Sequence, residues 1–284
     1  AAGADVYNRD TDRIFGQHFN SNKWDDAKIK LTPPLQYTTK DGTVHNVNST
    51  LSNWNFFADP GAIDNSDVDG KLYVYGTTEG IEYDNKGVLK LNGYNNHSLT
   101  IMSTKDMVNW TDEGTLDNLN LANDLSYIED KTKCAWASRA WAPSGLKIDG
   151  DGDGKDEYYI FYSNANAVGY VQGDSPTGPW KDDLGRVLFS KLTPNCNDVV
   201  WCFDPAVLVD DKGDAYVYFG GGVPDDANST SEQKVHPQTG RVCKIKFEEG
   251  TGKVLLDGDP QKLDAYYMFE DSEINRFHGK YFYS

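Results

Sequence analysis

FFADPGAI, residues 56–63, opens a phrase that the chain repeats as RAWAPSGL (139–146), CFDPAVLV (202–209) and YMFEDSEI (267–274). Each copy is a short apolar run broken by one distinctive residue. After a gap, each is followed by an aromatic, β-prone run: KLYVYGTT from Lys71, EYYIFYSN from Glu157, DAYVYFGG from Asp214 and GKYFYS from Gly279. The gaps hold DVDGK before Leu72, DGDGDGK before Tyr158, DDKGD before Ala215 and RFHGK before Tyr281. These stretches are rich in the Gly and Asp that tight turns require, so each copy reads as two strands joined by a hairpin. Recurrence at intervals of roughly 60 to 80 residues predicts an all-β chain organised as propeller blades with insertions. The alternative is a β-sandwich with coincidental turn chemistry.

Composition narrows what such a chain can do. Its 284 residues are enough for one large core, and no composition shift marks a linker. No apolar stretch approaches the length of a bilayer span, and mean hydropathy is −0.64. The opening AAGADVYNRD lacks the basic start and apolar centre of an export signal, so the compartment is not legible there. Lys and Arg number 27 against 44 Asp and Glu, a net charge of −17 that repels phosphate backbones and anionic bilayers. Neither nucleic acid nor a membrane is an expected partner. Aromatic residues make up 13% of the chain, and their concentration in the strands points to packing between blades while also permitting sugar stacking. Cys134, Cys196, Cys202 and Cys243 fit neither a zinc spacing nor a dense disulfide scaffold. Cys196 and Cys202 are close enough in sequence for a small bridged loop, with buried free thiols as the alternative.

Residues 1–53 precede the first copy and read as an N-terminal extension that packs on the propeller or closes it; residues 54–284 form the propeller itself. KDMVNWT and SPTGPW place Trp110 and Trp180 at corresponding outer-strand positions of successive blades. Residues 117–133 have no clean period and read as a long loop or short helix. A polar insertion at 224–240 precedes the strand RVCKIKF, and the fourth blade has only begun where the sequence reaches Ser284. The propeller is therefore expected to be incomplete at its C-terminal side, since a closed ring pairs its last blade with its first.

Asp59, Asp204 and Glu270 occupy the distinctive place in three copies of the phrase, and Ala142 occupies it in the other. The first strand of every propeller blade lines the central channel, so residues at one phase project toward a common centre. Like charges gathered in a partly desolvated site raise one another's pKa values, which suits a pair of groups working as acid and base. One at a time, such residues are more often turn-opening acids, as Asp-Pro commonly is. Glu273 competes for the last role, but its odd spacing from Glu270 places it on the other face of a strand. Asp149, Asp151, Asp153 and Gly154 match the start of a calcium loop, yet Ile160 stands where the twelfth-position acid belongs, and a solvated hairpin tip is the expected role.

From Asn55 onward these motifs resemble glycoside hydrolase family 43, in the ADP of the first copy, the WAP of the second, FDPAVLVDD of the third, and FE with HGKYFY of the fourth, joined by KDMVNWT and SPTGPW. The resemblance implies a five-bladed propeller ending early in its fourth blade, with Asp59 as general base, Glu270 as general acid and Asp204 tuning and orienting the acid. It also implies inversion, with base and acid roughly 6.5 to 9.5 Å apart and no covalent sugar intermediate. DVVWCFDPAVLVDD, GGGVP and YMFEDS are most similar to arabinofuranosidases that trim arabinoxylan, with β-xylosidase or arabinanase as alternatives and a non-catalytic sugar-binding propeller more distant. Phe57, Trp141, Trp201 and Phe203 flank the motif residues as candidates for the sugar-facing wall. The implied partner is a plant cell-wall polysaccharide or oligosaccharide, with secretion favoured over the cytoplasm. No cofactor is required for the chemistry, although the family's channel calcium is a structural ion that the resemblance allows.

Overall fold

The hairpin signals do what their chemistry requires. In the computed structural model, residues 35–38, 44–47, 56–79, 82–83, 89–90, 99–107, 109–114, 134, 136–137, 139–223, 237–265 and 268–284 are described. The first phrase and its partner run are β3 (Phe56–Asn65) and β4 (Lys71–Glu79), and the second pair are β9 (Trp141–Ile148) and β10 (Glu157–Ser163). The third pair are β14 (Ala206–Val209) and β15 (Ala215–Gly220), and the fourth are β19 (Ile274–Phe277) and β20 (Lys280–Tyr283). Each pair is an antiparallel hairpin. In each turn a Gly takes a left-handed φ: Gly70, Gly152 with Gly154, Gly213 and Gly279. Asp side chains cap the first three of these turns, as where Asp69 accepts the Lys71 N–H at 3.0 Å and Asp210 the Lys212 N–H at 2.8 Å.

Further strands extend three of these hairpins. The first sheet runs β3-β4-β7-β8, adding β7 (Leu99–Thr104) and β8 (Trp110–Gly114). The second runs β12-β11-β10-β9, with β11 (Ala167–Gly173), β12 (Trp180–Lys181) and β13 (Phe189–Ser190), the last paired with β11. The third runs β14-β15-β16-β17, with β16 (Gly240–Phe247), β17 (Val254–Leu256) and β18 (Gln261–Lys262), the last on β16. Trp110 and Trp180 open β8 and β12, the corresponding outer strands that the sequence predicts. The short hairpins β1 (Leu35–Thr38) with β2 (Val44–Val47) and β5 (Glu82–Tyr83) with β6 (Leu89–Lys90) each pair internally. Among the described residues every element is a strand, so the chain is all-β there and no helix is long and apolar enough to cross a membrane. Residues 117–133 lie outside the described residues, as does most of the 1–53 extension.

The sheets stack face to face, and the second is the shared wall. All seven residues of β10 are buried. Strand alternation sends Tyr158, Ile160 and Tyr162 into a core with Ile63, Tyr75 and Ile101 of the first sheet. Tyr159 and Phe161 go the other way, into a core with Val217, Phe219 and Ile245 of the third. Each such ring contributes about 1.5–3 kcal/mol by leaving water. A buried tyrosine also needs a partner for its hydroxyl, and these hydroxyls fasten sheet to sheet. Tyr158 donates to Asn65 Oδ1 at 2.8 Å, Tyr75 to the Pro176 carbonyl at 2.6 Å and Tyr159 to the Gly252 carbonyl at 2.7 Å, while Tyr170 accepts the Val254 N–H at 2.8 Å. The aromatic content thus serves packing first. The four cysteines are buried free thiols, and Cys196 and Cys202 share the core between the second and third sheets without a bridge. Burial pushes the Cys202 thiol up to about 12, which makes it inert at neutral pH.

The first strands β3, β9, β14 and β19 lie beside one another in chain order. Gly61 makes the β3 to β9 approach feasible, because a Cβ there would stand 2.1 Å from the Pro143 carbonyl oxygen. Within the third sheet, Arg241 is fully buried and holds the Asn195, Gln238 and Gly240 carbonyls while pairing with Asp198. Lys262 closes that network from outside, 2.6 Å from Asp198.

Candidate functional site

In three copies the residue that breaks the phrase is a kink in the first strand or just before it. Asp59, Ala142 and Asp204 have φ of 49°, 44° and 48°, and each is followed by proline. Non-glycine residues seldom adopt this left-handed conformation, and proline has no N–H for the ladder. The β3 register accordingly slips between Ala58 and Gly61, and the β9 register slips around Ala142 and Pro143. The fourth copy departs from the sequence expectation by one residue. Its left-handed residue is Asp271, φ 64°, with Ser272 in the place of proline, so Glu270 precedes the kink. Three of four copies still carry a carboxylate at the kink, but the third of these is Asp271, and Glu270 is an additional acid beside it.

A repeated hydrogen bond joins these kinks from one sheet to the next. The Ala142 N–H donates to Thr77 Oγ1 at 2.8 Å, and the Asp204 N–H donates to Ser163 Oγ at 2.7 Å. Thr77 and Ser163 are equivalent, since they pair with Ala58 and Trp141, the residues just before each kink. The third sheet has Gly220 at that place, where φ is 98° and a Cβ would meet the Thr239 carbonyl oxygen at 2.7 Å. No side chain fits there, and the Asp271 N–H is accepted instead by Asp204 Oδ2 at 2.9 Å.

The arrangement gathers carboxylates. Asp204 titrates up to about 7, first because burial strips water from it and then through repulsion by Asp59, Asp271 and Glu270, against the pull of the Asp271 N–H. Asp59 keeps one side open to solvent, yet the protein around it raises its pKa. The Thr77 hydroxyl, 2.8 Å from Oδ2, offsets part of that rise and Asp271 adds to it. The structure therefore brings Asp59, Asp271 and Glu270 within electrostatic reach of Asp204. Glu273 is raised by burial and by Asp271, and its backbone pairs with Ser284 at the edge of the fourth hairpin.

Of the four candidate wall residues, Trp201 and Phe203 meet edge to face with centroids 5.4 Å apart. Trp201 also meets Phe269 at 5.1 Å. Phe269 is 49% exposed and immediately precedes Glu270, as Phe203 precedes Asp204. Sequence reading passed it over, although that repeated aromatic-acid order is the signal that finds it. Phe57 lies half-buried with its ring over Gly76, and Trp141 is half-buried with the Arg139 guanidinium 5.6 Å from its ring. These two stand at the kinked ends of the first and second sheets.

Asp149, Asp151 and Asp153 do group tightly enough for a cation, but their carboxylates already accept the N–H groups of Gly152, Gly154, Asp153 and Lys155. These bonds cap the tip of the hairpin between β9 and β10. Among the described residues no other such group offers the channel calcium a set of ligands.

Comparison with known proteins adds the lineage. The model of Glycosyl hydrolases family 43 matches residues 56–283. An arabinoxylan arabinofuranohydrolase of Bacillus subtilis (strain 168) is 39% identical over 233 residues, 80% of this chain and 42% of that protein. The arabinoxylan arabinofuranohydrolase of Paenibacillus polymyxa is 37% identical over 220 residues, 76% of this chain and 33% of its own length. A crystal structure of the family 43 arabinoxylan arabinofuranohydrolase from Bacillus subtilis in complex with cellotetraose superposes with a TM-score of 0.69 at 36% identity, covering 83% of this chain and 46% of that one. The chain thus spans less than half the length of these relatives.

Proposed function

The chain belongs to family 43 of the glycosyl hydrolases, and from that premise we propose that it is an inverting glycoside hydrolase that releases α-L-arabinofuranosyl residues from arabinoxylan. The observation that carries the reading is the electrostatic convergence of Asp59, Asp204 and Glu270 at the kinked ends of three sheets. The names of the Bacillus subtilis and Paenibacillus polymyxa relatives supply the substrate class.

In this reading the sheets are blades of a five-bladed propeller, with the kinks at the channel. Asp59 is the general base: its ionised carboxylate takes a proton from the water that attacks the anomeric carbon. Glu270 is the general acid that protonates the departing oxygen, on the opposite face of the sugar. Asp204, pushed up to about 7, stands within electrostatic reach of Glu270, which suits a residue that tunes and orients the acid. Trp201, Phe203 and Phe269 form an apolar wall on the Glu270 side that suits the face of a sugar ring. Phe57 and Trp141 would line the Asp59 side. A polymeric cell-wall substrate favours secretion over the cytoplasm. No step depends on a structural calcium in the channel.

The test is sugar release from arabinoxylan, debranched arabinan and xylobiose by the full-length protein beside Glu270→Gln. Free arabinose from arabinoxylan, lost by about 10²–10⁴-fold in the variant, is the expected result. Xylose from xylobiose instead would move the enzyme to the xylosidases, and an unimpaired variant would remove Glu270 from the acid role.

A further inference from the structure

The hydroxyl of Thr77 does something that its counterpart in the next sheet does not. Thr77 lies on β4, is 2% exposed, and accepts the Ala142 N–H. A backbone N–H can only donate, so this contact occupies a lone pair of Oγ1 and leaves the single hydroxyl proton to be given elsewhere. Asp59 Oδ2, 2.8 Å away, is where it goes. Ser163 accepts the corresponding N–H, but its own sheet carries Ala142 at the kink, so no carboxylate waits for its proton. In the third sheet the hydroxyl is missing at Gly220, and Asp204 takes the N–H with its own Oδ2.

From this series we propose that Thr77 is a positioning residue for Asp59, a hydroxyl oriented by the second sheet so that its one proton fixes Oδ2 and leaves Oδ1 to address water. The inference rests on the reading of Asp59 as the base. It deepens that reading by assigning the two oxygens different duties: among the described residues Asp59 accepts no other hydrogen bond, so Oδ1 is the oxygen available to a proton from water. The carboxyl's direction is then set by a chain of two bonds that begins at the Ala142 backbone, in a different sheet. A third consequence concerns charge. Asp271 opposes the ionisation of Asp59, and among the described residues no Lys or Arg counters it. Among the described residues the Thr77 proton is the one local influence that favours the ionised base.

The experiment is a pH series of kcat/KM on arabinoxylan for the full-length protein and its Thr77→Val, Thr77→Ser and Asp59→Asn variants. Valine keeps the branched shape and removes the hydroxyl. Thr77→Val is expected to lose about 10- to 100-fold in kcat/KM near neutral pH, the scale of a misplaced catalytic group, with its acidic limb displaced to higher pH. The sign follows from the chemistry: without the donated proton Asp59 holds its own proton to higher pH, and a protonated base cannot act. Thr77→Ser keeps the hydroxyl and is expected to restore both rate and limb to within about threefold of the parent. Should Thr77→Val not fold, Thr77→Cys, with its weaker donor, is expected to show a displacement in the same direction. Loss of thermal stability in Thr77→Val or Thr77→Cys with the acidic limb unmoved would overturn the inference, leaving Thr77 a backbone latch like Ser163. So would a Thr77→Ser variant as impaired as Thr77→Val. Asp59→Asn separates the two levels. If it stays active, the base assignment falls and the inference with it; if it is inactive beside an unshifted Thr77→Val, the inference alone falls.

Discussion

The second and third sheets make the same kink and put it to different use. At Ala142 and Asp204 the backbone has φ of 44° and 48°, proline follows, and a hydroxyl from the preceding sheet takes the N–H. One position carries a methyl group and the other a carboxylate with a pKa near 7. The left-handed turn is therefore an architectural element of the repeat, present whether or not an acid sits on it. Chemistry is added by the side chain alone, and the strain, about 1–2 kcal/mol for a residue with a Cβ, is borne by both.

The most direct way to break the comparison is to make the third sheet resemble the second. Asp204→Ala is expected to fold, since Ala142 shows that alanine tolerates the kink, and to lose activity on arabinoxylan by about 10²–10⁴-fold. A variant that fails to fold would show that the carboxylate's hold on the Asp271 N–H is structural, and so would reverse the lesson. A subtler test uses protons. Native Asp204 keeps a proton up to about 7, whereas the unfolded chain gives it up near 3.8. The native state therefore binds more protons across that window, and stability from this group is full below about 4 and lost as pH rises through about 7. Unfolding of the parent and of Asp204→Asn, followed by denaturant at pH 4.5 and 7.5, should show the parent losing more stability over that rise than the variant does. Equal losses would mean that Asp204 titrates as an ordinary carboxyl. The smallest expected effect lies in the second sheet. Ala142→Gly removes a Cβ from a left-handed residue and should raise stability by about 0.5–1 kcal/mol in the same assay. A loss instead would show that the packing of the buried Ala142 methyl outweighs the strain.

How much of this was legible beforehand differs between local and distant chemistry. The turns were readable because Asp69–Gly70, Asp153–Gly154 and Lys212–Gly213 state their conformation in adjacent residues. Trp110 and Trp180 marked outer strands by their place in two similar phrases. Asp59 and Asp204 were visible because proline follows each of them. In the fourth copy Ser272 replaces that proline, so the sequence offered two neighbouring acids with no mark of which one sits at the kink, and the backbone chose Asp271. Thr77 and Ser163 could not be found by local pattern. Each meets its partner N–H across 65 and 41 residues of chain, and a Thr or Ser in a strand says nothing about whose proton it will hold.

The tyrosine-rich strand β10 has a consequence for how the molecule comes apart. Because alternate side chains of one strand complete two different cores, neither core can open without disturbing the other. Amide protons of β10 should therefore exchange with deuterium only through global opening, while the two-stranded β19–β20 hairpin, paired to nothing outside itself among the described residues, exchanges early. Protection should decline from that shared strand outward, which makes it the keystone of a cooperative unit spanning three sheets.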